Sequence, residues 1–187
     1  MLGLSFAARF PERVSDLVLV GCGTYDSATR TIFKQSLDRQ LGDEGRLKIR
    51  ALQDRLATES DNGRRDVILG ELGAAYMKVE SYDLLETEPA SDHLPLDEAG
   101  HNETWKDVLR LQQEGIEPGI FRGISARVLM IHGDTDPHPG APTHELLRQF
   151  IPGLEYMEVD RCGHEPWRER HAHGRFVEVV RAWLGPR

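Results

Sequence analysis

Three short, largely apolar runs stand out along the chain, at residues 17–20, 128–131 and 154–159. The first run is closed by Gly21, and the second leads into a polar loop that begins at His132. Short apolar segments rich in β-branched residues and bounded by turn residues are typical of strands buried on both faces of a parallel sheet. We therefore predict three buried strands at these positions.

Helical spacing of apolar residues flanks these runs. Leu4, Ala7 and Ala8 share one helical face, and Pro11 ends that helix because proline lacks the backbone N–H and restricts the residue before it. A second helix follows the second run and ends at Pro152, and a terminal helix follows the third. Their apolar faces consist of Leu146, Leu147, Phe150 and Ile151, and of Phe176, Val177, Val180, Trp183 and Leu184. Strands that alternate with helices predict an α/β fold with a parallel sheet.

The stretch between the first and second strands is charged and helical in character. Its amphipathic pattern predicts three or more helices that pack on one side of the protein. The apolar positions are Ile32, Phe33, Leu37 and Leu41, then Leu47, Ile49, Leu52 and Leu56, then Val67, Ile68, Leu72 and Ala75, and finally Trp105, Val108, Leu109 and Leu111. This pattern predicts a core formed by residues 1–23 and 123–187, with a helical insertion over residues 24–122.

One polar stretch inside the insertion, residues 86–102, contains two prolines and a glycine and is interpreted as a loop. The next helix is then expected to start after an Asn102 cap, with Glu103 and Thr104 in its first turn. Asn102 and its neighbours could alternatively contact a substrate. His101 and Trp105 share this alternative. Tyr76, Trp105 and Trp167 could also form an apolar pocket, although core packing explains such aromatic residues more often.

Composition narrows the function classes. The chain of 187 residues has a formal net charge of −8 and scattered basic residues, so nucleic acid is not an expected partner. No apolar run approaches the length of a membrane-spanning helix, and residues 1–13 lack the organisation of a secretory signal. Cys22 and Cys162 allow at most one disulfide, which is no disulfide framework. We expect a soluble protein of a reducing, cytoplasmic compartment, whose oligomeric state the sequence does not reveal.

Candidate chemistry lies in the polar loops that follow the second and third predicted strands. Functional groups of open parallel sheets gather at the carboxyl ends of strands, and these two loops present Asp136 and His164 there. An acid can hold an imidazole in one tautomer and stabilise its protonated form, while the other ring nitrogen takes a proton from a hydroxyl group. Asp136 and His164 are therefore the candidate catalytic residues.

Other interpretations of the same loops stay open. Asp134 competes with Asp136 for the acid role, and Asp136 could instead be a turn carboxylate beside a proline. His164 could be a structural histidine bonded to the backbone. A third interpretation makes His132, Asp134, Asp136 and His138 ligands of a metal ion, although their irregular spacing disfavours it. His138 is otherwise expected to line a pocket or to face water.

The two loops resemble those of the α/β-hydrolase superfamily. HGDTDPHPG is similar to the acid loop, in which Gly-x-x-Asp follows a buried strand, and the match falls on Asp136. Cys162-Gly163-His164 resembles the Gly-His loop of the base, and acid before histidine is the order of the family. AARFPERVSDLVLVGCG is similar to the helix, turn and strand that follow the nucleophile elbow. The insertion then takes the place of the cap, and nearly the whole chain shares the resemblance.

The resemblance implies a serine hydrolase, related to esterases and prolyl-aminopeptidase-like members, with a Ser-His-Asp triad and no metal or organic cofactor. Its substrate would be a small-molecule or peptide acyl compound. The Gly-x-Ser-x-Gly elbow would fall a few residues before Met1, whereas Ser5 is interpreted as a helix residue. The chain is thus expected to be an N-terminally truncated hydrolase that is inactive alone. The alternatives are a non-catalytic remnant that acts as an interaction module and a metal-assisted hydrolase.

Overall fold

The computed structural model of the chain describes residues 2–85 and 96–185. Its helices and strands alternate as the sequence predicts at both ends of the chain. Short 3-10 turns add to them at Pro11–Arg13, Gly119–Gly123 and Pro166–Arg168. The elements in chain order are α1 (Leu2–Arg9), β1 (Asp16–Val20), α2 (Ser27–Thr58), α3 (Asn62–Val79), α4 (Glu98–Gln113), β2 (Arg127–Gly133), α5 (Gly140–Leu147), β3 (Leu154–Val159) and α6 (His173–Leu184).

The three strands form one parallel sheet in the order β1-β2-β3. Val18 pairs with Leu129, which in turn pairs with Glu155. In β2 every residue from Val128 to Gly133 is buried, as expected for the central strand. The predicted α/β fold with a parallel sheet is therefore confirmed.

Helices cover both faces of this sheet, because successive side chains of a strand point to opposite sides. On one face, Val128 and Met130 pack against α1 and α5. On the other face, Leu129 and Ile131 pack against the apolar side of α6. The residues that α1 and α5 contribute are Leu4 and Leu147, and those of α6 are Phe176, Val179, Val180 and Trp183.

Two predicted details of these elements are wrong. The predicted burial of β1 on both faces does not hold, since only Leu19 is buried and the rest of the strand is half-buried. This strand pairs on one side only within the described sheet, so its other edge has no strand partner there. The helix expected to reach Ile151 ends at Leu147 in a turn, although Phe150 and Ile151 still pack in the core.

The helices of the predicted insertion have a small apolar core of their own. Ile49 and Leu52 of α2 pack against Ile68 and Leu72 of α3. The long helix α2 is broken at Gly42, whose φ of 61° and ψ of −173° are not helical. This break separates the two apolar stripes that the sequence shows in α2. The division of the chain into core and insertion itself stays a prediction.

The expected start of α4 at Asn102 is wrong, because the helix begins at Glu98 and is capped by Asp97. The Asp97 carboxylate accepts a hydrogen bond from Gly100 N at 2.9 Å. Gly100 and Asn102 resemble turn residues in sequence, yet a capping aspartate one turn earlier starts the helix before them. The remainder of the expected loop, residues 86–95, lies outside the described residues.

None of the described helices has the length and apolar character needed to cross a membrane. Cys22 and Cys162 are both free and buried. Burial raises the pKa of the Cys22 thiol to about 11 and that of Cys162 to about 12, so both are protonated at neutral pH.

Candidate active site

The site lies where β2 and β3 end side by side. β2 leads into residues 134–139, which we call the acid loop, and β3 leads into residues 160–165, which we call the histidine loop. Because the strands are parallel neighbours, their carboxyl ends meet at one edge of the sheet. The topology therefore brings the two loops together.

Hydrogen bonds join the two loops directly. Asp134 N donates to Val159 O at the end of β3 at 3.0 Å, and Thr135 N donates to Cys162 O of the histidine loop at 3.0 Å. The Thr135 hydroxyl donates to the same carbonyl at 2.8 Å. Gly133 is required at the junction, since a Cβ there would lie 2.1 Å from Cys162 O. The loops are thus held at a fixed separation by backbone contacts.

Asp136 and His164 form the predicted pair. His164 Nδ1 lies 2.8 Å from Asp136 Oδ2, and the Asp136 side chain is fully buried. Asp134 does not compete for this contact, because its Oδ1 accepts a hydrogen bond from Cys162 N at 3.1 Å. The predicted contact is confirmed, and Asp134 instead ties the two loops together. The catalytic roles of Asp136 and His164 stay predictions.

Two further histidines surround the same carboxylate. Asp136 Oδ1 accepts from His138 N at 2.8 Å and lies 3.0 Å from His138 Nδ1. His132 Nε2 lies 3.2 Å from Asp136 Oδ2 and 2.9 Å from His138 O. Because a carbonyl only accepts, the proton of the neutral His132 ring sits on Nε2. The Asp136 carboxylate therefore has more hydrogen-bond donors around it than the single histidine of a triad would supply.

These contacts shift the pKa values in opposite directions. Burial raises the pKa of Asp136, but hydrogen bonds from His138 and His164 and the histidine charges outweigh it and hold this pKa far below its usual value. Burial likewise lowers the pKa of His164, but the hydrogen bond and charge of Asp136 outweigh burial and raise it above its ordinary value. Burial dominates at His132 and lowers its pKa. Asp136 is therefore ionised, and it lies beside His164, whose imidazole is a stronger base than usual.

His164 keeps one ring nitrogen available for chemistry. Its Nε2 makes no hydrogen bond to any residue that the structure describes, while its backbone N donates to Glu80 O at 2.8 Å. Gly21, with a φ of 55°, passes so close that a Cβ there would lie 3.0 Å from the imidazole Cε1. Among the described residues, the imidazole is therefore held at Nδ1 and has no hydrogen-bond partner at Nε2.

His138 packs inside the site, which the sequence left undecided. Its ring stacks on Phe33 of α2 at a centroid distance of 4.0 Å and an interplanar angle of 19°. The same ring lies 4.6 Å from the ring of His164, tilted by 32°. No sequence pattern indicated the part of Phe33, because the contact joins segments far apart in the chain.

Glu169 is a second residue that sequence reasoning missed. It is fully buried, and its Oε1 accepts from Tyr82 N at 2.9 Å and from Gly163 N at 3.1 Å. Its Oε2 accepts from Asp83 N at 2.7 Å. One carboxylate thus joins the segment after α3 to the histidine loop. We call this arrangement the Glu169 clamp.

A metal ion could find ligands here, although not the predicted set. Atoms of Asp136, His138 and His164 lie within 4.8 Å of one another, as imidazole and carboxylate ligands of a transition metal would. Asp134 is engaged with Cys162, and Nε2 of His132 with a carbonyl. Metal binding at the three grouped residues would also compete with the Asp136–His164 hydrogen bond.

A cavity of about 420 Å³ adjoins His164. Three larger cavities, two of about 660 Å³ and one of about 520 Å³, contain neither member of the pair, so we consider the cavity beside His164 the candidate substrate pocket. Trp167 does not line it and packs near Phe176 instead, with ring centroids 6.0 Å apart. The residues around the candidate pocket include Tyr76, Met77, Glu80, His101, Trp105 and Glu165.

Ser5 lies in α1, as expected, and its hydroxyl donates to the buried carboxylate of Glu117. It does not line the candidate pocket. His164 has no serine, threonine or cysteine side chain among its hydrogen-bond partners in the described residues. Ser5 is therefore bound to a different carboxylate from the one that orients His164.

Comparisons with known proteins give structural likeness only. No protein-family model and no curated protein matches the sequence. An α/β-hydrolase enzyme from a Medee basin deep-sea metagenome library aligns over 99% of this chain and 61% of its own length, with 13% identity and a TM-score of 0.50. A marine microorganism esterase aligns over 97% and 65%, with 14% identity and a TM-score of 0.47. E-2-(acetamidomethylene)succinate hydrolase aligns over 97% of this chain and 62% of its own length, with 15% identity and a TM-score of 0.46.

This chain therefore spans less than two thirds of the length of these structures. Only the first alignment reaches a TM-score on which an argument can rest, and at 13% identity it concerns the fold alone. It agrees with the parallel sheet and the flanking helices. The chain has the α/β-hydrolase fold over the part of that fold that it spans.

Proposed function

We propose that this chain supplies the acid and the base of a Ser-His-Asp acyl hydrolase, with His164 as the base and Asp136 as the residue that orients it. The observation that carries the proposal is the 2.8 Å contact between His164 Nδ1 and the buried carboxylate of Asp136. Triads use this contact to fix the tautomer in which Nε2 accepts a proton. The raised pKa of His164 supports the same role.

In the proposed reaction, a serine hydroxyl attacks the acyl carbonyl of an ester, an amide or a related substrate. His164 Nε2 takes the hydroxyl proton and later delivers it to the leaving group, while Asp136 stabilises the imidazolium. Water, deprotonated by the same imidazole, then releases the acid from the acyl-enzyme. The cavity beside His164 would hold the acyl substrate.

The proposal requires a serine nucleophile, and none of the described hydrogen-bond partners of His164 supplies one. The 187 residues contain no Gly-x-Ser-x-Gly motif, and the Ser5 hydroxyl bonds to Glu117. We therefore propose that the serine belongs to a segment ahead of residue 1 and that the 187-residue chain alone has no acyl-enzyme route. Loss of the nucleophile removes nearly all turnover in enzymes of this mechanism.

An active-serine reagent tests the proposal. We expect no labelling of the 187-residue chain by a fluorophosphonate, and labelling of a chain extended in the same reading frame through a Gly-x-Ser-x-Gly segment. In the extended chain, His164→Ala should slow labelling by at least about a thousandfold, the order of loss seen when a triad member is removed. His144→Ala is the matched control, because this imidazole stacks on Tyr156 away from the pair.

The outcomes separate the three functions considered. Labelling of the 187-residue chain that disappears with Ser5→Ala would contradict the assignment of Ser5. Equal labelling of the extended chain with and without His164 would contradict the role of His164 as base. An extended chain that is folded, is never labelled and hydrolyses no ester with or without Zn²⁺ would favour a non-catalytic interaction module.

A metal-assisted hydrolase is the second candidate, favoured by the grouping of Asp136, His138 and His164. Such an enzyme would lose ester hydrolysis after chelation and regain it with Zn²⁺. A triad hydrolase would keep its activity after chelation, and added Zn²⁺ would inhibit it by occupying the imidazoles. The direction of the response to Zn²⁺ therefore distinguishes the two candidates.

A further inference from the structure

The candidate pocket beside His164 has two carboxylates in its wall, and they differ in their partners. Glu165 Oε2 lies 3.1 Å from the guanidinium of Arg168, which offsets its charge. The Glu80 carboxylate makes no hydrogen bond or ion pair with any residue in the described parts of the chain. Of the two carboxylates, Glu80 is therefore the one without a direct partner among the described residues.

Glu80 is half-buried at the end of α3, where water reaches it only in part. Burial raises the pKa of its carboxyl group, and the nearby charges of His164 and His138 offset this only in part. A partly buried carboxylate without a partner is unfavourable, and a positively charged group in the pocket would relieve that cost.

The remaining wall suits the same kind of ligand group. Tyr76 and Trp105 line the pocket together with Met77. Trp105 is 45% exposed, so part of its ring is open to a group that enters the pocket. Aromatic rings attract ammonium groups through their negative faces, and a carboxylate adds a direct ionic contact. An ammonium group on a short alkyl chain could use both.

We propose that the acyl substrate of this site carries an ammonium group, which binds Glu80 between the aromatic side chains of Tyr76 and Trp105. This inference rests on the proposed function, because it assumes that the acyl group lies beside His164. An anionic substrate would face Glu80 and Glu165 together, and a neutral one would leave Glu80 without a partner. The pocket therefore selects for positive charge.

Three unreactive acetamides of similar size test the inference by binding to the full 187-residue chain. N-(3-aminopropyl)acetamide carries an ammonium group, N-butylacetamide has a methyl group in its place, and N-acetyl-β-alanine carries a carboxylate. Because none is hydrolysed on the time scale of the titration, binding is measured without any catalytic step. The readout is isothermal titration, with the imidazole resonances of His164 monitored by NMR to locate the bound compound.

We expect the ammonium compound to bind about tenfold more tightly than the butyl compound, which corresponds to about 1.4 kcal/mol. We expect the carboxylate compound to bind most weakly. Glu80→Gln should reduce the preference for the ammonium compound to less than about twofold. Glu155→Gln, which removes the same charge from an exposed position of β3, should leave it unchanged.

Each contrary result has its own meaning. If the ammonium and butyl compounds bind equally and both shift the resonances of His164, the charge preference is refuted while the proposed acyl site stands. If Glu80→Gln changes the pKa of His164 but keeps the ammonium preference, Glu80 serves the base and the inference is refuted. If no compound perturbs His164, the pocket is not an acyl site and the inference falls with it.

Discussion

The two loops of the site and the long helices that precede β2 are held in different ways. Residues of the acid and histidine loops bond directly to one another, beside a strand buried along almost its whole length. The helices α2 and α3 pack chiefly on each other, and large apolar side chains such as Leu47 and Val67 remain 71% and 61% exposed. The pair that performs the proposed chemistry is therefore more firmly fixed than the helices that line its pocket.

The polar contacts that join α2 and α4 to the rest of the chain include two hydrogen bonds from side-chain amides to backbone carbonyls. Gln40 of α2 donates to Thr135 O at 2.9 Å, and Gln112 of α4 donates to Thr24 O at 3.1 Å. The Glu169 clamp holds the end of α3 against the histidine loop with three backbone hydrogen bonds. We infer that the geometry of the acid–base pair depends on the sheet, whereas the shape of the pocket depends on the Glu169 clamp.

Gly133→Ala should have the largest effect on stability, because it disrupts the contact between the acid loop and the histidine loop. Its new Cβ would lie 2.1 Å from Cys162 O and 2.3 Å from Gly163 O, so the loops must separate. Backbone atoms cannot yield as a flexible side chain can, and we expect a loss of about 3 kcal/mol in the free energy of unfolding. Denaturant unfolding monitored by circular dichroism measures it.

Gly174→Ala is the matched control for that substitution. Apart from the backbone of α6 itself, no described atom lies within 4 Å of a Cβ at this position. Alanine favours the helix by about 0.5–1 kcal/mol over glycine, so this variant should be as stable as the native chain or slightly more so. A similar loss in both variants would show that the loop junction has no special sensitivity.

Glu169→Gln should have the next largest effect, since it breaks the clamp without changing the size of the side chain. An amide NH₂ replaces one oxygen that accepts backbone N–H groups, and its charge is lost. We expect a destabilisation of about 2–3 kcal/mol, typical of charge-assisted hydrogen bonds in the interior. Hydrogen exchange of the amides of Tyr82, Asp83 and Gly163 should also accelerate.

A control for Glu169→Gln shows whether the effect is specific to the contact between the helices and the histidine loop. Glu98→Gln removes a buried carboxylate that bonds to Arg65 within the helical region. We expect it to leave the amides of the histidine loop protected. Acceleration of those amides in the Glu98 variant would mean that the helices and the loops form one cooperative unit.

The stability of the chain should depend on pH through the pair. The raised pKa of His164 contributes stability that is fully present below the unfolded pKa of 6.5 and is lost as pH rises through the folded value. The lowered pKa of Asp136 contributes stability above its unfolded value of 3.8, and this is lost as pH falls toward the folded value. His132, whose pKa is lowered, acts against His164 on acidification.

Asp136→Asn removes the interaction that raises the His164 pKa. We therefore expect the difference in Tm between the native chain and this variant to be larger at pH 6 than at pH 9. Thermal unfolding in buffers of matched ionic strength measures both differences. A difference that stays constant over this range, or grows toward pH 9, would mean that His164 gains no stability from Asp136.

Gly42→Ala should have the smallest effect, because it alters only the break in α2. Gly42 has a φ of 61° and a ψ of −173°, a conformation almost restricted to glycine, although a Cβ would meet no neighbour. The cost should be about 1–2 kcal/mol of strain. We expect the pKa of His164 to stay unchanged in this variant, and a shift would link the helical break to the pair.

Much of the fold follows from patterns that are local in sequence. The apolar runs at residues 17–20, 128–131 and 154–159 predict the strands. Functional groups of a parallel sheet gather in loops at the carboxyl ends of its strands, and this rule predicts that Asp136 lies near His164. The glycine and proline punctuation also places the ends of α1 and β1 within a residue or two. These features depend on neighbours along the chain, which the sequence displays directly.

Long-range contacts account for what the sequence did not reveal. The stacking of Phe33 on His138 and the backbone groups that meet Glu169 join segments that are distant along the chain. A buried glutamate such as Glu169 has no signature in a region that looks like a charged helix start. The choice between Asp134 and Asp136 likewise depended on which carboxylate faces the imidazole and which faces the Cys162 N–H.

The pKa of His164, measured by NMR titration, tests the central claim most directly. We predict a pKa above 6.5 in the native chain, because Asp136 outweighs burial, and a clear fall in Asp136→Asn, where burial acts without that opposing charge. Asp134→Asn is the control, since its side-chain oxygen can still accept from Cys162 N, and we predict no change. A His164 pKa that is unchanged in Asp136→Asn, or that falls instead in Asp134→Asn, would contradict the assignment of the pair.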